Sequence, residues 1–362
     1  LKILFLKKIL DIINVFFSSK GILFGYARCP TFSDQWFFSA YRKAKNIIKE
    51  KKIDVIITSF PPPVVNVLGY RLKKKFKNIL WIQDFRDPWV RNTMHKGIWP
   101  FNFLEKYLER KSCKNADIIT VVSDIWADWF KVDYSSKLKN IFVIKNGYDK
   151  ESVDNIVSCS NHDEFIKVNE KKNLLHIGSL YKINDNIELI FRAIEEGRFQ
   201  FEEYLRIVFY GAYETFAFLN GYMERYPKAK RIVQYKGFLS AEEVLRKESQ
   251  ADAFLLMKNN KNDGVIPMKV FEYMAFKKPI IGVCLTQSSY LGDILKKTGL
   301  GVFCGGDISR IEEALILVST GEVKISPNND FIEGFSREAQ VKNLNYIIES
   351  RLNWGGFLSS SK

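Results

Sequence analysis

The sequence predicts an α/β protein of two doubly wound, parallel-sheet domains facing each other across a cleft, and three observations predict it. The chain has 362 residues, 46% of them hydrophobic, more than one compact core usually holds. Short apolar runs alternate with helical-period segments in both halves, the pattern of strand–helix–strand units. Residues 149–172 interrupt that alternation with a polar, aperiodic stretch, the composition of a linker. The expected division is a first domain over 1–148, a linker over 149–172, a second domain over 173–335, and a closing helix in 336–362 that packs back toward the first domain.

In the first half, Asp54–Ser59 reads as a buried strand stopped by Pro61, Pro62 and Pro63, and Val64–Phe76 as a helix with basic last turns. Ile79–Asp84 is the next strand, and Asp84–Trp89 (DFRDPW) the loop leaving it. A helix near Phe101–Lys114 leads to the strand Asp117–Val122, and Ser123 caps a helix from Asp124. Ile141–Lys145 ends at the turn pair Asn146-Gly147. In the second half the strands are Asn173–Ile177, Leu205–Tyr210, Ile232–Tyr235, Ala253–Met257, Pro279–Val283 and Gly301–Cys304. The helices are Asn186–Glu196, Ala241–Glu248, Lys269–Phe276, Tyr290–Thr298, Ile308–Val318 and Ser336–Asn353. Ligands of such sheets bind beyond the carboxyl ends of the strands, so the cleft between the domains is the expected active site.

Composition bounds the partners. Five cysteines are scattered without paired or metal-ligand spacing, which reads as reduced thiols in a cytoplasmic protein and not as a zinc site. The formal net charge of +14 points to anionic partners. Its local clusters, Lys49 to Lys52 and Arg71 to Lys77, read either as a solvated face or as a patch for an anionic membrane surface. No recognised nucleic-acid motif accompanies the charge, and no nucleic acid is expected as a partner. No run reaches the roughly twenty apolar residues of a spanning helix. Leu1–Phe17, apolar but broken by Lys2, Lys7, Lys8 and Asp11, fits an amphipathic surface helix better than a signal peptide.

The most informative segment is Asp263–Gly282 (DGVIPMKVFEYMAFKKPIIG). Pro267 suits the first turn of a helix, where its missing N–H costs nothing. Lys269 and Glu272, three apart, share a helix face near an N-terminus that already favours anions. Lys269 is suited to neutralising a diphosphate and Glu272 to accepting both hydroxyls of a ribose. The plainer alternative is a surface ion pair beside a buried Val270–Phe271–Met274 stripe.

This segment resembles the nucleotide-sugar motif of retaining GT-B glycosyltransferases of family 4 (glycosyl transferases group 1), which often read P-x-K-x-F-E-Y-x-A-x-x-K-P-I. His176–Lys182 (HIGSLYK) is similar to the family's first strand-to-helix turn of the second domain, and Tyr235–Phe238 (YKGF) to the strand end beside the nucleobase. DVIITSFPPP, WIQDFRDPW, ADIITVVS and VIKNGYD resemble successive landmarks of the first domain. The likeness spans roughly residues 30 to 350. It implies transfer of a glycosyl group from a UDP- or GDP-sugar to a hydroxyl of a glycan or lipid-linked acceptor, with retention, without a cofactor or metal, at the inner face of the cell membrane. The implied donor-binding residues are Gly178, Ser179, Lys182, Gly211, Tyr235, Gly237, Phe238, Asp263, Gly264, Val265, Ile266, Pro267, Lys269 and Glu272. The resemblance also implies a catalytic part for Lys269, stabilising the leaving diphosphate. Asp84, Arg86 and Asp87 are the catalytic candidates on the acceptor side. Arg86 either grips a phosphate or carboxylate bidentately or is an internal partner of Asp84 or Asp87.

The chain departs from the pattern in three places. Where many relatives carry a second glutamate, eight residues before Glu272, stands Gly264, with Asp263 beside it. Gln83 precedes Asp84 where a histidine is common; the only nearby histidine is His95, and His176 reads as a satisfied core residue. Nothing in Leu1–Phe24 resembles the family's opening strand and Gly-rich loop, so an amino-terminal truncation is expected. Two other functions remain open: a non-catalytic sugar-nucleotide-binding protein and a sugar-nucleotide 2-epimerase.

Overall fold

The computed structural model describes residues 36–92, 101–134, 140–160, 171–178, 180, 186–257 and 264–354. Leu1–Phe17, His95, Ser179, Lys182 and Asp263 lie outside the described residues. The chain divides into two compact units, Leu1–Lys145 with Leu344–Lys362, and Asn146–Asn343.

The first unit carries a parallel sheet of β1 (Val55–Phe60), β2 (Leu80–Phe85), β3 (Ile118–Val121) and β4 (Ile141–Val143), in that order. Its helices are α1 (Trp36–Lys51), α2 (Pro63–Lys75), α3 (Phe101–Cys113) and α4 (Asp124–Tyr134). β2 and β3 are buried along their whole length, as expected of parallel strands covered on both faces. One apolar cluster joins Phe60, Phe85, Trp89, Val121, Trp126 and Phe130. A tight contact seats α2: a Cβ on Gly69 would come within 2.5 Å of the Trp81 indole. That indole donates to Thr58 Oγ1 at 2.9 Å, and Thr58 Oγ1 donates to Asn66 Oδ1 of α2 at 3.2 Å.

The second unit is built on a six-stranded parallel sheet: β5 (Lys172–Ile177), β6 (Leu205–Tyr210), β7 (Val233–Tyr235), β8 (Ala253–Met257), β9 (Ile280–Val283) and β10 (Gly301–Gly305). The order β10-β9-β8-β5-β6-β7 reverses direction between β5 and β8, the switch point of a doubly wound sheet. Its helices are α5 (Lys150–Ser160), α6 (Ile187–Glu196), α7 (Tyr213–Arg225), α8 (Pro227–Ile232), α9 (Ala241–Gln250), α10 (Met268–Ala275), α11 (Tyr290–Thr298), α12 (Ile308–Thr320), α13 (Asn329–Glu333) and the start of α14 (Arg337–Trp354). The later part of α14 belongs to the first unit, where Leu344, Ile347, Ile348 and Leu352 pack against Leu80, Ile82 and Ile118. Among the described residues, no helix is long and apolar enough to cross a membrane.

The structure corrects one element. The stretch expected to be linker opens with α5, whose Val153 is buried in the same apolar cluster as Phe271 and Ile332, with Ile156 against it. Val153 and Ile156 are three apart and so share a helix face, and the carboxylate of Asp149 accepts the backbone N–H of Ser152 at 2.9 Å to start the helix.

Candidate active site

Three glycines form the carboxyl edge of the second sheet where β5, β6 and β7 end. Gly178 N donates to Tyr210 O at 2.9 Å, Gly211 N donates to Gly237 O at 3.0 Å, and the Tyr235 hydroxyl donates to Gly211 O at 2.9 Å. Gly178 has φ of +116° and Gly237 of +87°, conformations that side chains rarely adopt. At Gly211 the need is for space: a Cβ would lie 2.8 Å from Gly178 O and 2.9 Å from Thr215 Oγ1. Among the described residues, glycine backbone therefore forms this rim. Phe238, just beyond, is 82% exposed.

α10 delivers the charged groups to this edge. It starts at Met268, with Pro267 as its N-cap at φ −59°, so Pro267 stands one position earlier than the expected first turn. Val270, Phe271, Tyr273 and Met274 are fully buried, which fixes the helix at about 1.5–3 kcal/mol per side chain. The Tyr273 ring stacks on Phe254 of β8 at 4.1 Å, and its hydroxyl accepts the Ile177 N–H of β5 at 2.9 Å. With the helix so held, Lys269 points at the end of β5: a Cβ on Gly178 would sit 3.5 Å from its ammonium.

Lys269 Nζ lies 3.1 Å from His176 Nε2, and His176 Nδ1 lies 3.0 Å from Leu255 O. A carbonyl only accepts, so Nδ1 carries the proton and Nε2 offers its lone pair to the ammonium. Burial pushes the Lys269 pKa down to about 7, against a smaller upward pull from Glu248. Burial, then Lys269, holds the His176 imidazole well below its ordinary value. Burial raises the Glu272 carboxyl, with Arg337 opposing. Glu248 of α9 is fully buried, and neither of its oxygens has a hydrogen-bond partner. Burial, followed by Glu272, pushes its pKa up to about 9, while Lys269 and Lys278 pull it down. The edge thus combines open backbone, one oriented amine and two carboxyls biased toward neutrality, an environment that favours an incoming anion.

Of the sequence-derived donor residues, Gly178, Gly211, Tyr235, Gly237 and Phe238 fall at the ends of β5 to β7. Gly264, Val265, Ile266 and Pro267 lead directly into α10, which carries Lys269 and Glu272. Gly264 is buried with φ of +72°, a backbone conformation in which a glutamate would be strained. Two members of the cluster were missed. The sequence places His176 as a satisfied core residue, and the structure adds its contact with Lys269. Glu248 follows Val244 by four and Leu245 by three, so its place on the apolar face of α9 was available from spacing.

In the first unit, register places Ser59, Asp84 and Thr120 side by side on β1, β2 and β3. Asp84 Oδ2 accepts Ser59 Oγ at 2.8 Å and Arg86 Nε at 2.8 Å; Asp84 Oδ1 accepts Thr120 Oγ1 at 2.6 Å. Arg86 Nη1 also donates to Ile144 O at 3.3 Å. Of the two alternatives for Arg86, this is the internal pair with Asp84. Asp87 is exposed at the start of the loop after β2.

Residues 18–152 match the Glycosyltransferase Family 4 model, and residues 171–319 match the Glycosyl transferases group 1 model. No curated protein matches the chain. Among solved structures, sucrose-phosphate synthase from Thermosynechococcus elongatus superposes with a TM-score of 0.60 at 15% identity, over 88% of this chain and 80% of that one. Anabaena Alr3699/HepE in complex with UDP gives 0.57 at 12%, over 85% and 81%. UDP-GlcNAc 2-epimerase from Methanocaldococcus jannaschii gives 0.54 at 16%, over 93% and 90%. With a family 4 domain on its first sheet and a group 1 domain on its second, the chain belongs to these glycosyltransferases and has the GT-B fold.

Proposed function

We propose that the protein transfers a sugar from a UDP- or GDP-sugar to an acceptor hydroxyl with retention, in surface polysaccharide or lipid-linked glycan synthesis. The observation that carries this reading is Lys269, held beside the open Gly178 backbone at the switch point, on the same helix as Glu272. In this reading the diphosphate lies over Gly178 and Gly211, where Lys269 and backbone amides take up the charge that develops on the leaving group. Glu272 accepts the ribose hydroxyls, Tyr235, Gly237 and Phe238 flank the base, and Gly264 to Pro267 border the sugar. The chemistry needs no metal, because the cation is supplied by Lys269. Asp84 holds Arg86, and Arg86 with Asp87 faces the acceptor. HepE, solved with UDP, supports a uridine nucleotide as the first ligand to test.

A membrane acceptor is supported by the first unit. α2 exposes Arg71, Lys74 and Lys75, with Lys77 just beyond it, while α3 exposes Phe103, Lys106, Tyr107 and Arg110. Lys111 lies over the Tyr107 and Tyr70 rings. Cations interleaved with exposed aromatic rings suit an anionic interface. Co-sedimentation with phosphatidylglycerol vesicles checks this: binding at low salt that weakens at high salt is expected, and no binding at low salt removes the membrane part.

Incubation with UDP- and GDP-sugars and candidate acceptors, read by proton NMR of the anomeric centre, tests the reaction. An α-configured product from an α-configured donor is expected; an inverted product overturns the mechanism. Tight nucleotide binding with neither transfer nor donor hydrolysis would favour the non-catalytic reading, which Gly264 at the second-acid position supports. Formation of a 2-epimeric sugar nucleotide would favour the epimerase.

A further inference from the structure

A buried neutral imidazole has one donor and one acceptor, and Leu255 O takes the donor at Nδ1. The second ring nitrogen is committed elsewhere. His176 Nε2 is the only hydrogen-bond partner of the Lys269 ammonium among the described residues, and no described carboxylate lies within ion-pair distance of it. An ammonium has three donors. One goes to His176, and the amine stands against the bare edge of Gly178. The charged group that acts on it is Glu248 of α9, which itself faces Glu272 and Lys278, while Leu255 of β8 supplies the carbonyl that fixes the histidine tautomer.

We propose that His176 is a positioning residue for the diphosphate of the donor, acting through Lys269. Its ring is locked between β5 and β8 at the switch point, with Phe209 against it at 5.4 Å. The Nε2 lone pair aims the ammonium at the Gly178–Gly211 edge and leaves its remaining donors for phosphate oxygens. The imidazole itself touches no substrate and transfers no proton. This rests on the donor-site reading above, and it assigns a function to a residue that sequence alone places in the core.

The test is calorimetric titration of the whole chain with UDP, GDP, uridine and guanosine, for the wild type, His176→Phe and His176→Gln. Phenylalanine keeps the ring but has no acceptor, whereas glutamine places an amide oxygen near the position of Nε2. The expected result is a loss on the order of tenfold in diphosphate affinity for His176→Phe, with nucleoside affinity unchanged and most of the loss restored in His176→Gln. Equal diphosphate-over-nucleoside preference in His176→Phe and wild type overturns the inference while leaving the donor site standing. A wild type that shows no preference for diphosphate over nucleoside removes the donor site and the inference together. If His176→Phe does not melt cooperatively, nitrogen NMR of the wild type decides, since the chain has only three histidines. An Nδ1–H tautomer whose Nε2 signal moves on UDP or GDP addition supports the assignment. An Nε2–H tautomer, or no response to a bound diphosphate, contradicts it.

Discussion

Burial brings the Lys269 pKa down to about 7, and its ammonium faces the Gly178 edge of the sheet. Below that pH the free site carries a cation; as pH rises through it the cation is lost, while a bound diphosphate restores it. Diphosphate affinity is therefore expected to fall as pH rises above about 7, by up to about tenfold per unit, with nucleoside affinity flat. A pH series of calorimetric titrations checks it. The Glu248 pKa is shifted the other way, upward. Its folded pKa of about 9 lies above the ordinary 4.5, so between those values the folded state holds a proton that the unfolded chain releases, and stability falls as pH rises. Glu248→Met removes the buried acid, so its melting temperature should exceed that of wild type, by more at about pH 8 than at about pH 5. A constant gap between the two melts would contradict the assignment. Asp84 is the contrasting case, a carboxylate whose partners are all supplied within its own unit. Asp84→Ala leaves the buried Thr120 hydroxyl without its acceptor and removes the ion pair between Asp84 and Arg86, a loss of about 2–4 kcal/mol by denaturant unfolding. Lys269 and Glu272 were legible because their relation is a helical spacing of three. His176 meets Lys269 across 93 residues, a pairing that local sequence does not encode.

The elements that position the site owe their place to local signals of uneven strength. α9 begins with a full capping box: Ser240 Oγ accepts the Glu243 N–H, and the Glu243 carboxylate accepts the Ser240 N–H. This fixes the helix phase that carries Glu248 inward. Ser240→Ala should cost about 1 kcal/mol in a chemical-denaturation curve. The strands β2, β3, β5, β6, β8 and β9 were legible as apolar runs bounded by turn residues, each within about two residues of its place; β1 lies where expected but is not the buried strand its sequence suggests, since Ile57 is 51% exposed. α7 was not, because its buried positions Thr215, Leu219 and Tyr222 include a hydroxyl and lie among exposed aromatics such as Tyr213, which blurs the helical period. α1 was missed for a related reason: it buries only Ile48 fully and presents Lys43, Lys49 and Lys51 to solvent. α5 looks like linker in sequence because one short stripe, Val153 and Ile156, is its apolar signal.

At the scale of the molecule, alternation of strands and helices announced two doubly wound sheets, and both are present as parallel sheets with interleaved helices. Strand order was not legible: nothing local says that β8 returns to lie beside β5, and it is that return which creates the switch point and brings Leu255, His176 and Lys269 together. In the proposed function this edge of the second sheet holds the donor's nucleotide. Calorimetric titration of the whole chain with UDP and GDP, repeated on Lys269→Ala and Glu272→Ala, tests it most directly. Wild type should bind one of the two nucleotides. Glu272→Ala should lose most of that affinity without losing its cooperative melt, and Lys269→Ala should lose affinity for the diphosphate but not for the nucleoside. Wild-type nucleotide affinity in both variants would place the nucleotide elsewhere.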